Sequence, residues 1–159
     1  MKGNKKTNAA RILDKLGIEY EIKTYEVDED DLSAVHVAQV IGMDISTIFK
    51  TIVTRGDKTG VLMAVIGGGN EINLKSLAKA SGNKSVSMIA LKELLPLTGY
   101  VRGGCSPLGA KKNYPVYIDA NALEQEKISV SAGLRGMQII ISPKDLIKAT
   151  NATVANLIE

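Results

Sequence analysis

The sequence predicts an α+β fold in which a mainly antiparallel β-sheet or barrel is packed by surrounding helices. Several runs rich in Ile, Val and Thr follow one another across short polar turns, as the strands of hairpins do. Between them lie segments with apolar residues at helical spacing, most of them closed by a glycine or a proline. A chain of 159 residues can bury a core without metal or disulfide support. We therefore expect a single domain over residues 1–159, with residues 1–6 flexible.

The helical segments carry recognisable ends. Residues 7–16 have Thr7 as a candidate N-cap, Ile12 and Leu13 on the apolar face, and Gly17 after the last turn. The other helical segments are residues 33–41, residues 73–80, a short stretch 90–95 ended by Pro96, and a helix opened by Ser142 and Pro143 that runs to residue 149. Aromatic content of only 4%, with no Trp, predicts a core of Ile, Leu, Val and Ala.

The strands are predicted as two hairpins and three single strands. Residues 48–54 and 61–66 flank a turn at 55–60, and residues 127–131 and 136–141 flank a turn at 132–135. The single strands are residues 19–25, residues 85–87 and residues 115–119, the last starting at Pro115 as edge or strand-initial prolines do. The Gly-Gly-Gly-Asn run at 67–70 has neither P-loop nor dinucleotide spacing, so we interpret it as a turn.

Composition limits the chemistry and the compartment. Cys105 is the only cysteine and His36 the only histidine, too few for a disulfide, a zinc site or an iron–sulfur site. No apolar run approaches the ~20 residues of a membrane span. We therefore expect a cytoplasmic protein that needs neither metal nor cofactor. A net charge of +3 does not by itself indicate a nucleic-acid partner.

Residues 100–112, Tyr-Val-Arg-Gly-Gly-Cys-Ser-Pro-Leu-Gly-Ala-Lys-Lys, fit neither helix nor strand periodicity and are interpreted as a shaped loop. Gly103 and Gly104 lack Cβ and let a ligand approach backbone N–H groups, while Pro107 stiffens the turn. Such a loop can bind a carboxylate, a phosphate or an oxyanion. A purely structural turn is the more common role of this composition.

Three further residues have two interpretations each. Lys50 is the only charged residue in its strand and should point away from the face shared by Phe49 and Thr51, either into solvent or into a pocket. Tyr25 ends the first strand, where it either overhangs a cleft or joins the core. His36 fits a surface or capping position best.

Cys105 is the obvious candidate nucleophile, because Arg102, Lys111 and Lys112 would lower the pKa of a nearby thiol. It lacks a base, since nothing in the sequence brings His36 to it. Catalysis without a protein nucleophile remains available through positioning and oxyanion stabilisation when the substrate supplies the attacking group.

Three motifs together resemble one family. They are Phe-Lys-Thr at 49–51, Gly-Gly-x-Ser-Pro-x-Gly at 103–109 followed by two lysines, and Val-Ser-Ala-Gly-x-Arg-Gly at 130–136. This order and spacing are similar to the bacterial YbaK/EbsC proteins, Cys-tRNA(Pro) deacylases related to the editing domain inserted in prolyl-tRNA synthetase. The likeness runs from about Thr7 to the C-terminus.

The resemblance implies trans-editing, in which cysteine is removed from mischarged Cys-tRNA(Pro), and from Cys-tRNA(Cys), in transient complex with prolyl-tRNA synthetase. It implies that the substrate's own thiol attacks the ester. The catalytic residues it implies are Lys50, Gly103, Gly104 and Ser131. The substrate-binding residues it implies are Tyr25, Thr51, Ser106, Pro107, Gly109, Lys111, Lys112, Gly133, Arg135 and Gly136. Cys105 stands where the family varies and receives no catalytic role.

Two other functions stay open at this point. The same residues would serve a module that binds a tRNA end or a small phosphorylated ligand without catalysis. An editing domain that acts on alanyl-tRNA(Pro) would share the fold.

Overall fold

The structure is a computed structural model that describes residues 6–159. Of the segment predicted to be flexible, residues 1–5 lie outside the described residues. The helices are α1 (Asn8–Lys15), α2 (Ala34–Ile41), α3 (Leu74–Ser81), α4 (Leu94–Thr98) and α5 (Pro143–Thr150), with 3-10 turns at Ile45–Thr47, Leu91–Glu93 and Ala120–Glu124. None of the helices in this part of the chain has the length and apolarity to cross a membrane.

Side-chain caps set the starts of four of these helices, including the two caps that the sequence predicted, Thr7 and Ser142. Thr7, Ser33, Asn73 and Ser142 each accept a hydrogen bond from a backbone N–H in the first turn. Each cap satisfies a donor that has no partner within the helix.

The strands form two sheets. They are β1 (Glu21–Thr24), β2 (Phe49–Gly56), β3 (Gly60–Gly67), β4 (Val86–Met88), β5 (Val116–Asp119), β6 (Ile128–Ser131), β7 (Met137–Ile141) and β8 (Thr153–Ala155). One sheet has the order β1-β7-β6 and is antiparallel throughout. The other has the order β4-β2-β3-β5-β8, with β5 parallel to both of its neighbours. The α+β fold with mainly antiparallel pairing is thus confirmed, with a parallel part that the sequence did not reveal.

The main core lies between the two sheets. The alternate residues Phe49 and Val53 of β2 and Val130 of β6 pack in it, together with Leu13 of α1 and Leu146 of α5. On the other face of the five-stranded sheet, α3 covers a second apolar cluster through Leu77 and Ala78. A third cluster lies beneath α2, where Val37, Ala38 and Ile41 pack on Ile48 and Ile140.

One predicted element needed correction, and one strand was not predicted. The helix predicted to end at Pro96 continues to Thr98, where Gly99 caps it in the left-handed conformation. Pro96 falls in the first turn of α4, where a missing N–H costs no helical hydrogen bond, so it does not end the helix. Strand β8 was missed, because its three residues are too short to show a period. Its pairing makes β5 an interior strand that begins after Pro115.

One contact joins the sheets beside the start of β2. Ile48 forms an isolated parallel bridge with Ser129 of β6. Lys50 lies two residues after Ile48, and Ser131 lies two residues after Ser129, in the same direction along the two parallel segments. Since side chains alternate along strands, these two residues share the face of Ile48 and Ser129. The bridge therefore brings two of the predicted catalytic residues to one side of the molecule.

Candidate active site

Lys50 leaves its strand on the face opposite the main core, as its position in the sequence predicts. Its neighbour Phe49 is buried between the sheets, and Thr51 pairs with the core residue Val65. Lys50 itself is half-buried, and its cross-strand partner Ile66 belongs to the cluster on the other face of the sheet. A cation on this surface loses part of its hydration and gains from any anion or carbonyl placed beside it.

The ammonium of Lys50 is held by the turn that was interpreted from sequence as a structural break. Lys50 Nζ donates to the carbonyl of Gly68 at 3.3 Å. That turn is fixed in its place because Gly68 N donates to Ile48 O at 2.6 Å. Among the described residues Lys50 makes no salt bridge, so its charge faces only a neutral carbonyl. It is available to an anionic or developing anionic group.

The two glycine loops pack directly against each other. A Cβ at Gly104 would lie 3.1 Å from the backbone N of Arg135 and 3.2 Å from the carbonyl carbon of Leu134. Only glycine allows this approach without moving backbone. Gly103 has φ +85° and lies beside Leu32 of the segment between β1 and α2. The loop at 100–112 and the loop at 131–136 therefore form one unit under residues 25–33.

Hydrogen bonds tie this unit together. Arg135 Nε donates to the carbonyl of Arg102 at 2.7 Å, which locks one loop to the other. Tyr25 N donates to Gly136 O at 2.9 Å, which fixes the end of β1 to the second loop. Gly136 has φ +84°, and a Cβ there would stand 2.8 Å from Tyr25 O. Tyr25 is partly buried against the cluster beneath α2, so it takes part in packing as well as bordering the loops.

Tyr100 is a structural residue of the site that sequence reasoning missed. Only 9% of it is exposed, and its hydroxyl donates to Leu108 O at 2.5 Å. A Cβ at Gly133 would lie 3.0 Å from Cε1 of the Tyr100 ring, and a Cβ at Gly109 would lie 2.8 Å from the Tyr100 hydroxyl oxygen. The one available signal was a tyrosine at the mouth of a glycine-rich loop. The ring fills the space that these glycines leave open.

Several predicted site residues form hydrogen bonds within the loops or lie in the core, and none of these contacts involves Lys50. The Ser106 hydroxyl is fully buried and accepts from Leu108 N, so in this structure it offers no surface to a ligand. Gly104 N donates to Val101 O, and the Ser131 hydroxyl accepts from Gly133 N. Thr51 lies on the core face of β2 with its hydroxyl oxygen buried and without a partner. The geometry leaves Gly103 and Lys50 as the more accessible groups.

The second half of the first loop faces elsewhere. Pro107, Gly109 and Lys112 line a cavity between α1, β5 and α5 whose lining includes neither Lys50 nor Ser131. Lys111 is exposed and donates to Pro96 O at 3.4 Å. The motif that reads as continuous in the sequence is divided between two surfaces of the molecule.

The environment of Cys105 corrects the expected direction of its pKa shift. The cationic neighbours in the sequence suggested a lowered pKa, but burial raises the pKa of this thiol to about 12. Its side chain packs against the main core. A thiol in an apolar environment keeps its proton, because the thiolate would lose hydration that nothing replaces. Cys105 is therefore a poor nucleophile at neutral pH.

The side chain of His36 is partly buried, with 20% of it exposed. This residue lies in the first turn of α2, and its backbone N donates to the Ser33 cap. Its Nδ1 is 4.0 Å from the carboxylate of Asp31, which is a contact between neighbouring surface groups. Within residues 6–159, no three His, Cys, Asp or Glu side chains gather as metal ligands would.

These features together define a class of site. A half-buried cation, a glycine loop with positive φ and a second loop locked to it can hold a carbonyl or carboxylate group by hydrogen bonds and charge. The neutral thiol beside them does not supply an attacking group. Groups of this kind can bind and polarise an acyl group without attacking it.

The chain belongs to the aminoacyl-tRNA editing domain family, whose model matches residues 28–149. It is 47% identical over 156 residues to EbsC of Enterococcus faecalis, which is named as a candidate Cys-tRNA(Pro)/Cys-tRNA(Cys) deacylase, covering 98% of this chain and 95% of that protein. It is 29% identical over 100 residues to the proline–tRNA ligase of Thermosipho melanesiensis, covering 57% of this chain and 17% of the ligase. A solved structure described as a candidate trans-editing enzyme for prolyl tRNA synthetase superposes with a TM-score of 0.81 at 25% identity, covering 98% of this chain and 99% of that one.

Proposed function

We propose that this protein is a trans-editing hydrolase that removes cysteine from mischarged Cys-tRNA(Pro) and from Cys-tRNA(Cys). The observation that carries the proposal is the 47% identity to EbsC over nearly the whole of both chains. The geometry around Lys50 supports it, because the bond to be broken is an ester whose carbonyl needs a cation and hydrogen-bond donors and no protein thiolate.

The attacking group we propose is the thiol of the cysteinyl moiety itself. Its sulfur forms a bond to the ester carbonyl carbon, the bond from that carbon to the ribose oxygen breaks, and the thiol proton ends on the released tRNA hydroxyl. The amino acid leaves as a cyclic thioester, which water then opens to free cysteine. The high pKa of Cys105 is consistent with attack by the substrate's thiol, since the protein's own thiol stays protonated.

Lys50 and Gly103 are the groups we propose to contact the ester. The ammonium of Lys50 would leave the Gly68 carbonyl, 3.3 Å away, for the carbonyl oxygen on which negative charge develops. Exchanging a neutral partner for a charged one strengthens the hydrogen bond, so the gain grows as the reaction proceeds. Gly103 would add a backbone N–H from a loop that Arg135 holds in place. Gly104 and Ser131 then act by shaping the loops.

Selection among amino acids follows from this chemistry. Cysteine, serine and alanine differ by one small group, which supplies only ~1–3 kcal/mol of binding discrimination. A reaction that requires the substrate's sulfur adds a chemical criterion, because a hydroxyl is a weaker nucleophile and a methyl group is none.

We further propose that prolyl-tRNA synthetase supplies the choice of tRNA through a transient complex in the cytoplasm. The likeness to a segment of a proline–tRNA ligase supports this link. The net charge of +3 is small for a protein that selects one tRNA unaided.

The test is a comparison of three substrates. Purified protein is incubated with cysteinyl-, seryl- and alanyl-tRNA(Pro), and the loss of the ester is followed. We expect rapid loss of cysteine, much slower loss of serine and almost no loss of alanine. Equal rates on all three would refute substrate-thiol attack, preference for alanine would indicate an alanine editing domain, and stable esters throughout would indicate a binding module.

A further inference from the structure

A cavity of about 780 Å³ opens on the side of the molecule where α1 and α5 end, and we call it the α1–α5 cavity. It is lined by Ile12, Lys15 and Leu16 of α1 and the loop after it, by residues 107–110 and 112–117, and by residues 149–151 with Thr153 and Met63. Its volume lies in the range of sites that hold small organic ligands. It is separate from the site around Lys50.

The charges of this cavity have one sign. In the part of the chain that the structure describes, Lys15 and Lys112 are its only charged lining residues, and no Asp or Glu lines it. Both lysines are exposed, and neither forms a salt bridge among residues 6–159. Two unpaired cations facing one cavity raise the local concentration of anions and favour a phosphate.

The other residues that line the cavity are suited to contact with an aromatic ring of a ligand. Tyr114, Tyr117 and Pro115 come from the stretch that enters β5, and Leu16 contributes an apolar side chain that is 49% exposed. Tyr117 packs against the cluster under α3, so Tyr114 is the partly exposed tyrosine that the cavity offers beside its lysines. A tyrosine beside lysines is a combination that binds single-stranded nucleic acid, since a base stacks on the ring while phosphates meet the cations.

Two helix ends complete the lining. Lys15 is the last residue of α1 and Thr150 the last of α5, and both line the cavity. The carbonyl groups at helix C-termini carry partial negative charge and favour hydrogen-bond donors. Lys15 therefore lies at the end of α1 where a cation is favoured.

We propose that the α1–α5 cavity binds a nucleotide of the single-stranded 3′ end of tRNA. This inference rests on the proposed function, which makes an aminoacyl-tRNA the substrate. The loop at 100–112 links the cavity to the second glycine loop, because Gly104 packs against Arg135 while Pro107, Gly109 and Lys112 line the cavity. Nucleotides that precede the aminoacylated one would dock in the cavity and align the ester with Lys50.

The experiment measures binding and not turnover. The wild type, the double variant Lys15→Glu/Lys112→Glu and the single variant Lys79→Glu are titrated with an uncharged acceptor-stem minihelix that keeps its single-stranded 3′ end, and with the same stem made blunt. Lys79 is a matched control, because it is an exposed lysine in the last turn of α3 and does not line the cavity. Melting temperatures verify that all three proteins are folded.

We expect the wild type and Lys79→Glu to prefer the minihelix with the single-stranded end, and the double variant to lose that preference with a drop on the order of tenfold in affinity. The slope of log affinity against log salt should fall by about 0.7 for each phosphate contact removed. Lys112→Arg keeps the charge and should keep the preference. Equal binding of the two stems by the wild type, or equal losses in the double variant and the Lys79 control, would overturn the proposal.

A second arm separates the tRNA end from a free nucleotide. Adenosine monophosphate is added while the backbone amide signals of residues 112–117 are followed by NMR. Shifts there, together with competition against the minihelix, support the proposal, whereas binding of the mononucleotide without competition would assign the cavity to a free nucleotide instead. Because none of these readouts uses deacylation, a wild type that binds as expected but leaves the ester intact would reject the proposed function alone.

Discussion

Lys50 obtains its role from the alternation of side chains along β2. Phe49 and Val53 enter the main core, so Lys50 must face the other way, on the face of its cross-strand partner Ile66. Its bond to the Gly68 carbonyl, which is neutral, positions the ammonium without neutralising it. An acidic partner would have lowered the affinity of this site for a carbonyl oxygen or an anion.

Cys105 provides a test at the level of one residue. Burial raises its pKa to about 12, so the thiol should stay protonated throughout the range in which tRNA esters are handled. We expect Cys105→Ala to retain near-normal kcat/KM on Cys-tRNA(Pro), with the same pH profile as the wild type between pH 6 and 9. An inactive Cys105→Ala variant that melts normally would restore a covalent mechanism through this thiol.

The residues of the site were only partly predictable from the sequence. The face on which Lys50 lies follows from strand alternation, and the structure agrees with it. The direction of the pKa shift at Cys105 did not follow, because the sequence shows cationic neighbours and not the burial that outweighs them. Tyr100 was missed for a related reason, since its contacts with Gly109 and Gly133 appear only when distant segments meet.

At the level of elements, the turn at 67–70 connects α2 to Lys50. Gly68 stands so close to the start of α2 that a Cβ there would lie 2.2 Å from the Cβ of Ala34. The carbonyl of the same residue accepts from Lys50. The packing of a helix on a turn thereby fixes the position of a side chain on the neighbouring strand.

Substitutions at adjacent glycines test this connection. Gly68→Ala should displace the turn, lower the stability by about 1–3 kcal/mol through overpacking, and reduce kcat/KM more than tenfold. Gly69→Ala is its control, because a Cβ there meets only Ile45 Cγ1 at 3.8 Å. Thermal melts and deacylation rates of the two variants should diverge. Similar behaviour of both would show that the turn does not position Lys50.

The elements themselves were predicted better than their arrangement. Caps and terminal glycines gave the helices, and the two hairpins appear as β2–β3 and β6–β7. The extension of α4 past Pro96 depended on where that residue falls in the turn. The parallel pairing of β5 with β3 and β8 depends on long-range contacts that leave no local period. The loop at 100–112 was recognised as irregular, but its division between two surfaces was not foreseen.

For the whole molecule, the burial of a tyrosine hydroxyl and a cysteine thiol predicts a loss of stability at high pH. Burial raises the pKa of Tyr100 from 10.0 to about 12 and that of Cys105 from 9.0 to about 12. Because the folded state holds these protons more tightly than the unfolded state, their contribution is complete below about pH 9 and is lost as the pH rises towards 12. The melting temperature should therefore fall steadily from pH 9 upwards.

Two variants assign that loss to these groups. Cys105→Ala and Tyr100→Phe each remove one of the protons, so each should flatten the fall of melting temperature between pH 9 and 11, whatever its effect at neutral pH. Calorimetric scans across this range provide the measurement. A wild-type melting temperature that does not change up to pH 11, or slopes that the variants leave unaltered, would contradict the account.

The two sheets meet at the Ile48–Ser129 bridge, and the proposed activity depends on what that bridge brings together. Deacylation of Cys-tRNA(Pro) by the wild type, by Lys50→Ala and by the surface control Lys79→Ala tests this most directly. Removing one preorganised donor from a developing oxyanion typically costs on the order of a hundredfold in rate. We predict such a loss in kcat/KM for Lys50→Ala and none for the control. A Lys50→Ala protein that hydrolyses the ester at the wild-type rate would contradict the central claim that this lysine polarises the bond.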